Sequence, residues 1–143
     1  MRVYLGSDHA GFEMKEALKP YFSKRGVDLV DVGTDSEDSV DYPEYAHKVA
    51  DAVASGEADR GVLVCGSGIG MAMTANKVDG VRAAMVTDPE LARMMRLHND
   101  GNVVTLGGRY IPQELAEEIL DAFLDTDFEG GRHQRRVEKI EAD

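Results

Sequence analysis

One cysteine opens a glycine-rich turn, and this placement is the strongest chemical signal in the sequence. Cys65 ends the apolar run 61–65 and is followed by glycines at alternating positions, Gly66, Gly68 and Gly70. A turn of this kind at the start of a helix presents backbone N–H groups to an anion. It would stabilise a neighbouring thiolate, which can act as a nucleophile or as a proton-abstracting base. The alternative is a small apolar residue that completes a buried strand.

The glycine spacing does not match the common nucleotide-binding or hydrolase patterns. It departs from G-x-G-x-x-G, and it lacks the lysine of a P-loop. It also misses the pattern G-x-S-x-G, because Cys65 stands in place of the first glycine. What remains is a general anion-binding turn, which suits the oxyanion of acyl transfer and an enediolate equally. Tight packing of a strand against a helix is the structural alternative.

Basic residues at three places in the chain could hold an anionic group of a ligand. Arg132 and Arg136 are four residues apart and share one face of a helix, where two guanidinium groups can clamp a phosphate. Arg109 and His9 could complete such a pocket. A solvated basic face is the usual explanation of a charge cluster. The net charge of the chain is −11, however, and concentrated arginines stand out against that background.

The triplet His98-Asn99-Asp100 has two interpretations. Its side chains could take part in chemistry, while the same triplet is common where a helix ends. No two histidines have metal-ligand spacing, and a single cysteine cannot form a thiolate cluster. We therefore expect neither a metal nor a cofactor.

Short apolar runs alternate with amphipathic segments along the chain, which is typical of a parallel sheet covered on both faces. The sequence predicts a single doubly wound, Rossmann-like α/β domain over residues 1–143 with five strands. Pro20 is expected to bend or shorten the first helix. The predicted strands are 3–6, 27–32, 61–65, 81–86 and 103–106, and the predicted helices are 12–24, 44–54, one from within 67–70 to about 77, one starting at 88–90, and 112–124.

Three of the polar groups follow predicted strands. Asp8 and His9 come after the first strand, the Cys65 turn after the third and Arg109 after the fifth, whereas His98 precedes the fifth. Ligands of such folds bind beyond the carboxyl ends of the strands. We therefore expect the first three groups to lie along one rim of the sheet.

Composition excludes several classes of partner. The chain has 143 residues, 43% of them hydrophobic, and no apolar stretch in it is long enough to span a membrane. The residues at its start lack the pattern of a signal peptide, so we expect none. The acidic net charge argues against nucleic acid and anionic membranes as partners. One cysteine cannot form an intrachain disulfide, so the reducing cytoplasm is the expected compartment.

Taken together, the motifs resemble the ribose-5-phosphate isomerase B family, which includes galactose-6-phosphate isomerase subunits. The resemblance covers nearly the whole chain, and its specificity lies in the order and combination of the motifs. They are 6–12 (GSDHAGF), 41–43 (DYP), 65–70 (CGSGIG), 75–77 (ANK), 98–100 (HND) with 102–103 (NV), and 130–134 (GGRHQ) with 136–137 (RV). It implies a Rossmann-like fold, no metal, and interconversion of ribose 5-phosphate and ribulose 5-phosphate.

The resemblance also implies roles for individual residues. Cys65 would be the base that moves a proton between C1 and C2 of the open-chain sugar. His98 would assist ring opening, and Ser67 would assist the turn in stabilising the enediolate. The residues that would bind the sugar, the enediolate or the phosphate are Asp8, Tyr42, Asn99, Gly66, Gly68, Ile69, Gly70, His9, Arg109, Arg132 and Arg136.

Two departures and the oligomeric state qualify these roles. Many relatives have threonine in place of Ser67, which keeps the hydroxyl. Other relatives use a glutamate just downstream as base, but residues 71–75 contain no acid, which favours the thiolate. The family implies a homodimer or homotetramer with sites shared between subunits, so His98 and Arg109 could serve a neighbour's Cys65. We expect the C-terminal helix, about 132–142, to pack at the dimer interface.

Alternatives to a pentose-phosphate isomerase remain open at this point. The same chemistry could act on a hexose 6-phosphate of the allose or galactose type. A non-catalytic phosphosugar-binding module would need only the arginines. A cysteine hydrolase would need a general base near Cys65 and an acyl substrate.

Overall fold

Five parallel strands form one sheet at the centre of the protein, whose computed structural model describes residues 1–142. The strands are β1 (Arg2–Ser7), β2 (Asp28–Asp31), β3 (Arg60–Cys65), β4 (Ala83–Met85) and β5 (Val103–Gly107). Their order across the sheet is β2-β1-β3-β5-β4. The predicted doubly wound α/β fold is confirmed.

Helices cover both faces of this sheet. They are α1 (Phe12–Lys24), α2 (Tyr42–Ser55), α3 (Ile69–Ala75), α4 (Pro89–Asn99), α5 (Gln113–Asp125) and α6 (Arg132–Glu141). Helices α1, α4 and α5 bury apolar side chains with Val62 and Val64 on one face, while α2 and α3 pack with Leu63 and Cys65 on the other. Within residues 1–142 no helix combines the length and the apolar character that crossing a membrane requires.

The position of the site follows from the strand order. The chain moves from β1 outward to β2 on one side, and from β3 toward β5 and β4 on the other. A crevice forms where the winding direction changes, here between the carboxyl ends of β1 and β3. The register pairs Ser7 with Val64 and Cys65 with Gly107, so the loops after β1, β3 and β5 open at one edge.

Helix α1 keeps its predicted bounds, 12–24, although it contains a proline. Pro20 lies in the middle of α1, which continues unbroken to Lys24, so a shortened helix was the wrong expectation. Its ring faces solvent, and the buried neighbours Leu18 and Phe22 hold both halves of the helix on the core. Tertiary packing outweighs the loss of one helical hydrogen bond here.

Helix α3 and strand β4 are shorter than predicted because side chains replace backbone pairing at their ends. Helix α3 ends at Ala75, where the Asn76 amide pairs with both the N–H and the carbonyl of Ala83. Strand β4 lies at the sheet edge, and before it the N–H of Arg82 donates to the Asn102 side chain. The pattern over 81–86 reflects burial of Val81 and Val86 beyond the strand itself.

A buried lysine ties α1 to the end of β2. Lys15 is 1% exposed, and its Nζ donates to Asp31 Oδ2 at 2.6 Å and to Glu16 Oε2 at 2.8 Å. Burial of Asp31 opposes ionisation, but hydrogen bonds from Lys15, Lys19 and the Gly33 N–H outweigh it and lower the pKa of this carboxyl. The paired charges fix the loop that leaves β2 along the functional edge.

Candidate active site

The Cys65 sulfur is held by the turn that follows it. Cys65 is 5% exposed, and its Sγ accepts a hydrogen bond from the Gly68 N–H at 3.1 Å. Gly68 has a φ of 83°, and a side chain there would lie 3.0 Å from the Leu106 backbone. Only glycine combines this left-handed conformation with so close an approach. This hydrogen bond fixes the position of the sulfur within the turn.

The last strand of the sheet supports this turn from behind. The Thr105 hydroxyl donates to the Gly68 carbonyl at 2.7 Å. The N–H of Gly108 donates to the Cys65 carbonyl at 2.8 Å, and that of Arg109 donates to the Gly66 carbonyl at 3.1 Å. The sequence analysis did not single out Thr105. Its signal is a hydroxyl within the apolar run of β5, which is unexpected in a strand buried on both faces.

Two polar residues after β1 have defined orientations. Asp8 is 6% exposed, and its Oδ1 accepts the Gly11 N–H at 3.0 Å. His9 Nδ1 accepts the N–H of Val40 at 3.1 Å. In a neutral imidazole, that bond leaves Nε2–H as the donor for a ligand.

These groups meet in one open cleft of about 580 Å³ at the carboxyl edge of the sheet. Tyr42 stands at the start of α2 beside the glycine turn, so close that a methyl group on Gly70 would come within 2.5 Å of its ring. Gly68, which was predicted to bind the ligand, is not among the residues that line the cleft. The lining residues are Asp8, His9, Ala10, Tyr42, Cys65, Gly66, Ser67, Ile69, Gly70, Met73, Arg109 and Tyr110.

Arg109 belongs to the same cleft as Cys65 of its own chain. Its guanidinium lies over Gly66, where an added methyl group would be 3.2 Å from a terminal nitrogen. That Arg109 also serves a neighbour's Cys65 stays a prediction. The sequence analysis did not single out Met73 and Tyr110, whose exposure is 67% and 78%.

Four predicted site residues lie elsewhere in the chain. His98 and Asn99 are the last two residues of α4, and Asp100 caps this helix in a left-handed conformation, which confirms the helix-end interpretation. Arg132 and Arg136 are exposed on α6, which packs against α4. His98 and Asn99 lie just before the start of β5, and α6 packs beside them, whereas the cleft lies at the end of this strand. The length of β5, roughly 13 Å at 3.3 Å per residue, therefore separates the two groups.

His98 stands in its own small cluster at that opposite end. Its ring stacks on that of His133, with centroids 4.4 Å apart. Asn99 lines a different cavity, of about 450 Å³, with Arg82 and Met95. One chain alone does not bring these residues to Cys65.

The fold and cleft define a doubly wound α/β enzyme for a small polar ligand, with a thiol, a carboxylate and basic groups at its switch point. The chain belongs to the Ribose/Galactose Isomerase family, whose sequence profile matches residues 3–140. It is an isomerase.

Individual relatives cover almost the whole chain. Ribose-5-phosphate isomerase B of Escherichia coli is 47% identical over 141 residues, which are 99% of this chain and 95% of that protein. The crystal structure of a ribose 5-phosphate isomerase from Thermotoga maritima is 50% identical, with a TM-score of 0.96 over 98% of this chain and 97% of that chain. Ribose-5-phosphate isomerase B from Mycoplasma genitalium, solved with bound ribulose-5-phosphate, is 39% identical, with a TM-score of 0.93 over 98% and 93%. These likenesses confirm the resemblance inferred from the motifs.

Proposed function

We propose that the chain interconverts D-ribose 5-phosphate and D-ribulose 5-phosphate through an enediolate, with Cys65 as the proton-transfer base. The observation that carries the mechanism is the Cys65 sulfur, which lines the cleft with its Gly68 hydrogen bond in place. The substrate follows from the relatives, one of which was solved with ribulose-5-phosphate bound.

The proton transfer needs one base that acts twice. The Cys65 thiolate removes the proton from C2 of the open-chain aldose, and the electron pair moves to give an enediolate across C1 and C2. The hydroxyl proton on O2 moves to O1, and the resulting thiol returns its proton to C1, which leaves the carbonyl at C2 and yields the ketose. The 66–70 turn and the Ser67 hydroxyl stabilise the charge that develops on the oxygens.

The rest of the cleft suits a phosphorylated sugar. Asp8 and Tyr42 offer a carboxylate and a phenol to the sugar hydroxyls or the ring oxygen. His9 and Arg109 offer positive or donor groups to the phosphate. The mechanism requires a reduced thiol, so we place the reaction in a reducing compartment such as the cytoplasm.

A second copy of the chain completes the site in this proposal. His98, as the acid that opens the ring, and Asn99 need to reach the sugar, and Arg132 and Arg136 need to reach its phosphate. Each chain carries these four residues at the end opposite its own cleft, and a two-fold axis would place them on the neighbour's cleft. We therefore propose a homodimer, alone or within a homotetramer, with α6 at the interface.

Mixing two inactive variants tests the sharing. Cys65→Ala and His98→Asn are each expected to lose turnover, while co-expressed chains form hybrid dimers with one intact site. Random pairing makes half of the dimers hybrid, and one of their two sites works, so about one quarter of wild-type activity returns. A site contained within one chain would give no recovery.

A second mixture provides the control. Cys65→Ala and Asp8→Asn affect the same half of the site, so no hybrid dimer contains an intact cleft. This mixture is expected to stay inactive. Recovery there would contradict the assignment of Asp8 and Cys65 to one half-site.

A hexose 6-phosphate is the second candidate substrate, favoured by the Ribose/Galactose name of the matching family. Comparing kcat/KM for ribose, allose and galactose phosphates decides between the two. The proposal expects ribose 5-phosphate to be preferred, and preference for a hexose would overturn the substrate while leaving the Cys65 chemistry unchanged.

A further inference from the structure

Two histidines and a glutamate converge at the end of the molecule opposite the Cys65 cleft. Glu129 Oε2 lies 3.9 Å from the Nε2 atoms of both His98 and His133. The two imidazole planes are stacked at 18°. One nitrogen from each histidine and one carboxylate oxygen all lie within 4.8 Å of one another.

The buried member of this cluster lacks a hydrogen-bond partner within residues 1–142. The His133 side chain is 7% exposed, and its Nε2 makes no hydrogen bond. Buried polar atoms nearly always have a partner, so an unpaired one aimed at two further ligands marks a place for something else.

The donor set suits a zinc-like ion. Imidazole nitrogens bind Zn²⁺ at about 2.0–2.1 Å and carboxylate oxygens at about 2.0–2.2 Å, which places tetrahedral ligand atoms about 3.4 Å apart. The present spacing is wider by about 0.5 to 1.4 Å. His133 is fixed by burial, while His98 and Glu129 have side chains 41% and 55% exposed and can turn toward it.

We propose that His98, Glu129 and His133 form a binding site for Zn²⁺ or a similar divalent transition metal, and that the bound ion inhibits isomerisation by holding His98. The ion is not a cofactor of the reaction. Its inhibitory effect, unlike its binding, rests on the ring-opening role proposed above for His98. The positive charges of Arg132 and Arg136, which act on His133, oppose a cation and keep the affinity below that of structural zinc sites.

Calorimetric titration of the whole protein with Zn²⁺ tests the site itself. We expect one site per chain in the wild type, and at least tenfold weaker binding in Glu129→Ala and His133→Ala. Glu129 is exposed, so its truncation leaves the fold intact even where the loss of buried His133 does not. His47→Ala, which removes an exposed histidine of α2, is the matched control and should bind like the wild type.

Two results of that titration would overturn the site. One is the absence of binding to the wild type. The other is binding that survives in Glu129→Ala but disappears in Cys65→Ala, which would place the ion on the thiol. Either result is independent of whether ribose 5-phosphate is the substrate.

Activity assays test the inhibitory effect separately. Zn²⁺ should inhibit the wild type at the concentrations that fill the site, and Glu129→Ala should require at least tenfold more. Equal inhibition of both, or a filled site with full activity, would refute inhibition through His98 while the titration still decides on binding.

Discussion

Gly11 sets the distance between the loop that carries Asp8 and the strand that carries Cys65. A methyl group on Gly11 would lie 2.3 Å from the carbonyl oxygen and 2.5 Å from the carbonyl carbon of Val64, the residue before Cys65. The same carbonyl accepts the N–H of Asp8 at 3.3 Å. Gly11→Ala is therefore a steric perturbation aimed at the geometry of the cleft without removing any polar group.

The size of the effect follows from these distances. Cβ atoms essentially never come closer than 3.0 Å to such neighbours, so the loop must move away from β3 by about 1 Å. Overpacking of this kind costs about 1–3 kcal/mol of stability. A displacement of about 1 Å in a catalytic arrangement costs about 10²-fold in rate.

Steady-state kinetics and thermal unfolding check this prediction on the same samples. We expect kcat of Gly11→Ala to fall about 10²-fold and Tm to fall by about 4–8 °C, from roughly 2 kcal/mol. Gly108→Ala is the matched control, since its methyl group would come no closer to any neighbour than 3.4 Å, the distance to Val64 Cγ1. Wild-type kcat and Tm in Gly11→Ala would refute the reasoning.

Two further variants probe the frame and the rim of the cleft. Asp31→Asn should lower the free energy of unfolding by about 2 kcal/mol at pH 7, because a charged hydrogen bond to Lys15 is lost. Since the folded state lowers the pKa of Asp31, this difference is complete above pH 4 or so, the ordinary Asp range, and shrinks as the pH falls through the lowered pKa. Urea titrations from pH 7 to pH 3 measure it, and a difference independent of pH would contradict the assignment. Gly70→Ala should push the exposed Tyr42 ring aside and raise KM about tenfold, or 1.4 kcal/mol, at constant Tm, whereas an unchanged KM would remove Tyr42 from the substrate site.

Much of the fold could be predicted because its strands are buried on both faces. The run 61–65 contains only small or apolar residues, so it reads as a central strand, and β3 is indeed central. Edges were less predictable. Strand β4 pairs on one side only, and Asn76 and Asn102 end the neighbouring elements through side-chain bonds that no periodicity reveals.

The candidate site likewise contains residues whose positions the sequence predicts and residues whose positions it does not. Asp8, Cys65 and Arg109 lie at or just beyond the ends of strands, so the rule on carboxyl ends predicts that they meet. Thr105 supports the turn by donating to Gly68, which is 37 residues away in the sequence. His98 meets His133 only because α6 folds back on α4. Contacts between distant segments depend on the complete fold, which the local pattern does not encode.

The proton-transfer role of Cys65 is the central claim, and turnover of Cys65→Ala tests it most directly. The variant should lose about 10³-fold or more in kcat for ribose 5-phosphate, the range expected for removing a general base. Its dissociation constant for ribulose 5-phosphate, measured by calorimetry, should stay within about threefold, because the groups proposed to bind the sugar and phosphate are untouched. A kcat within about tenfold of the wild type would show that another group moves the proton.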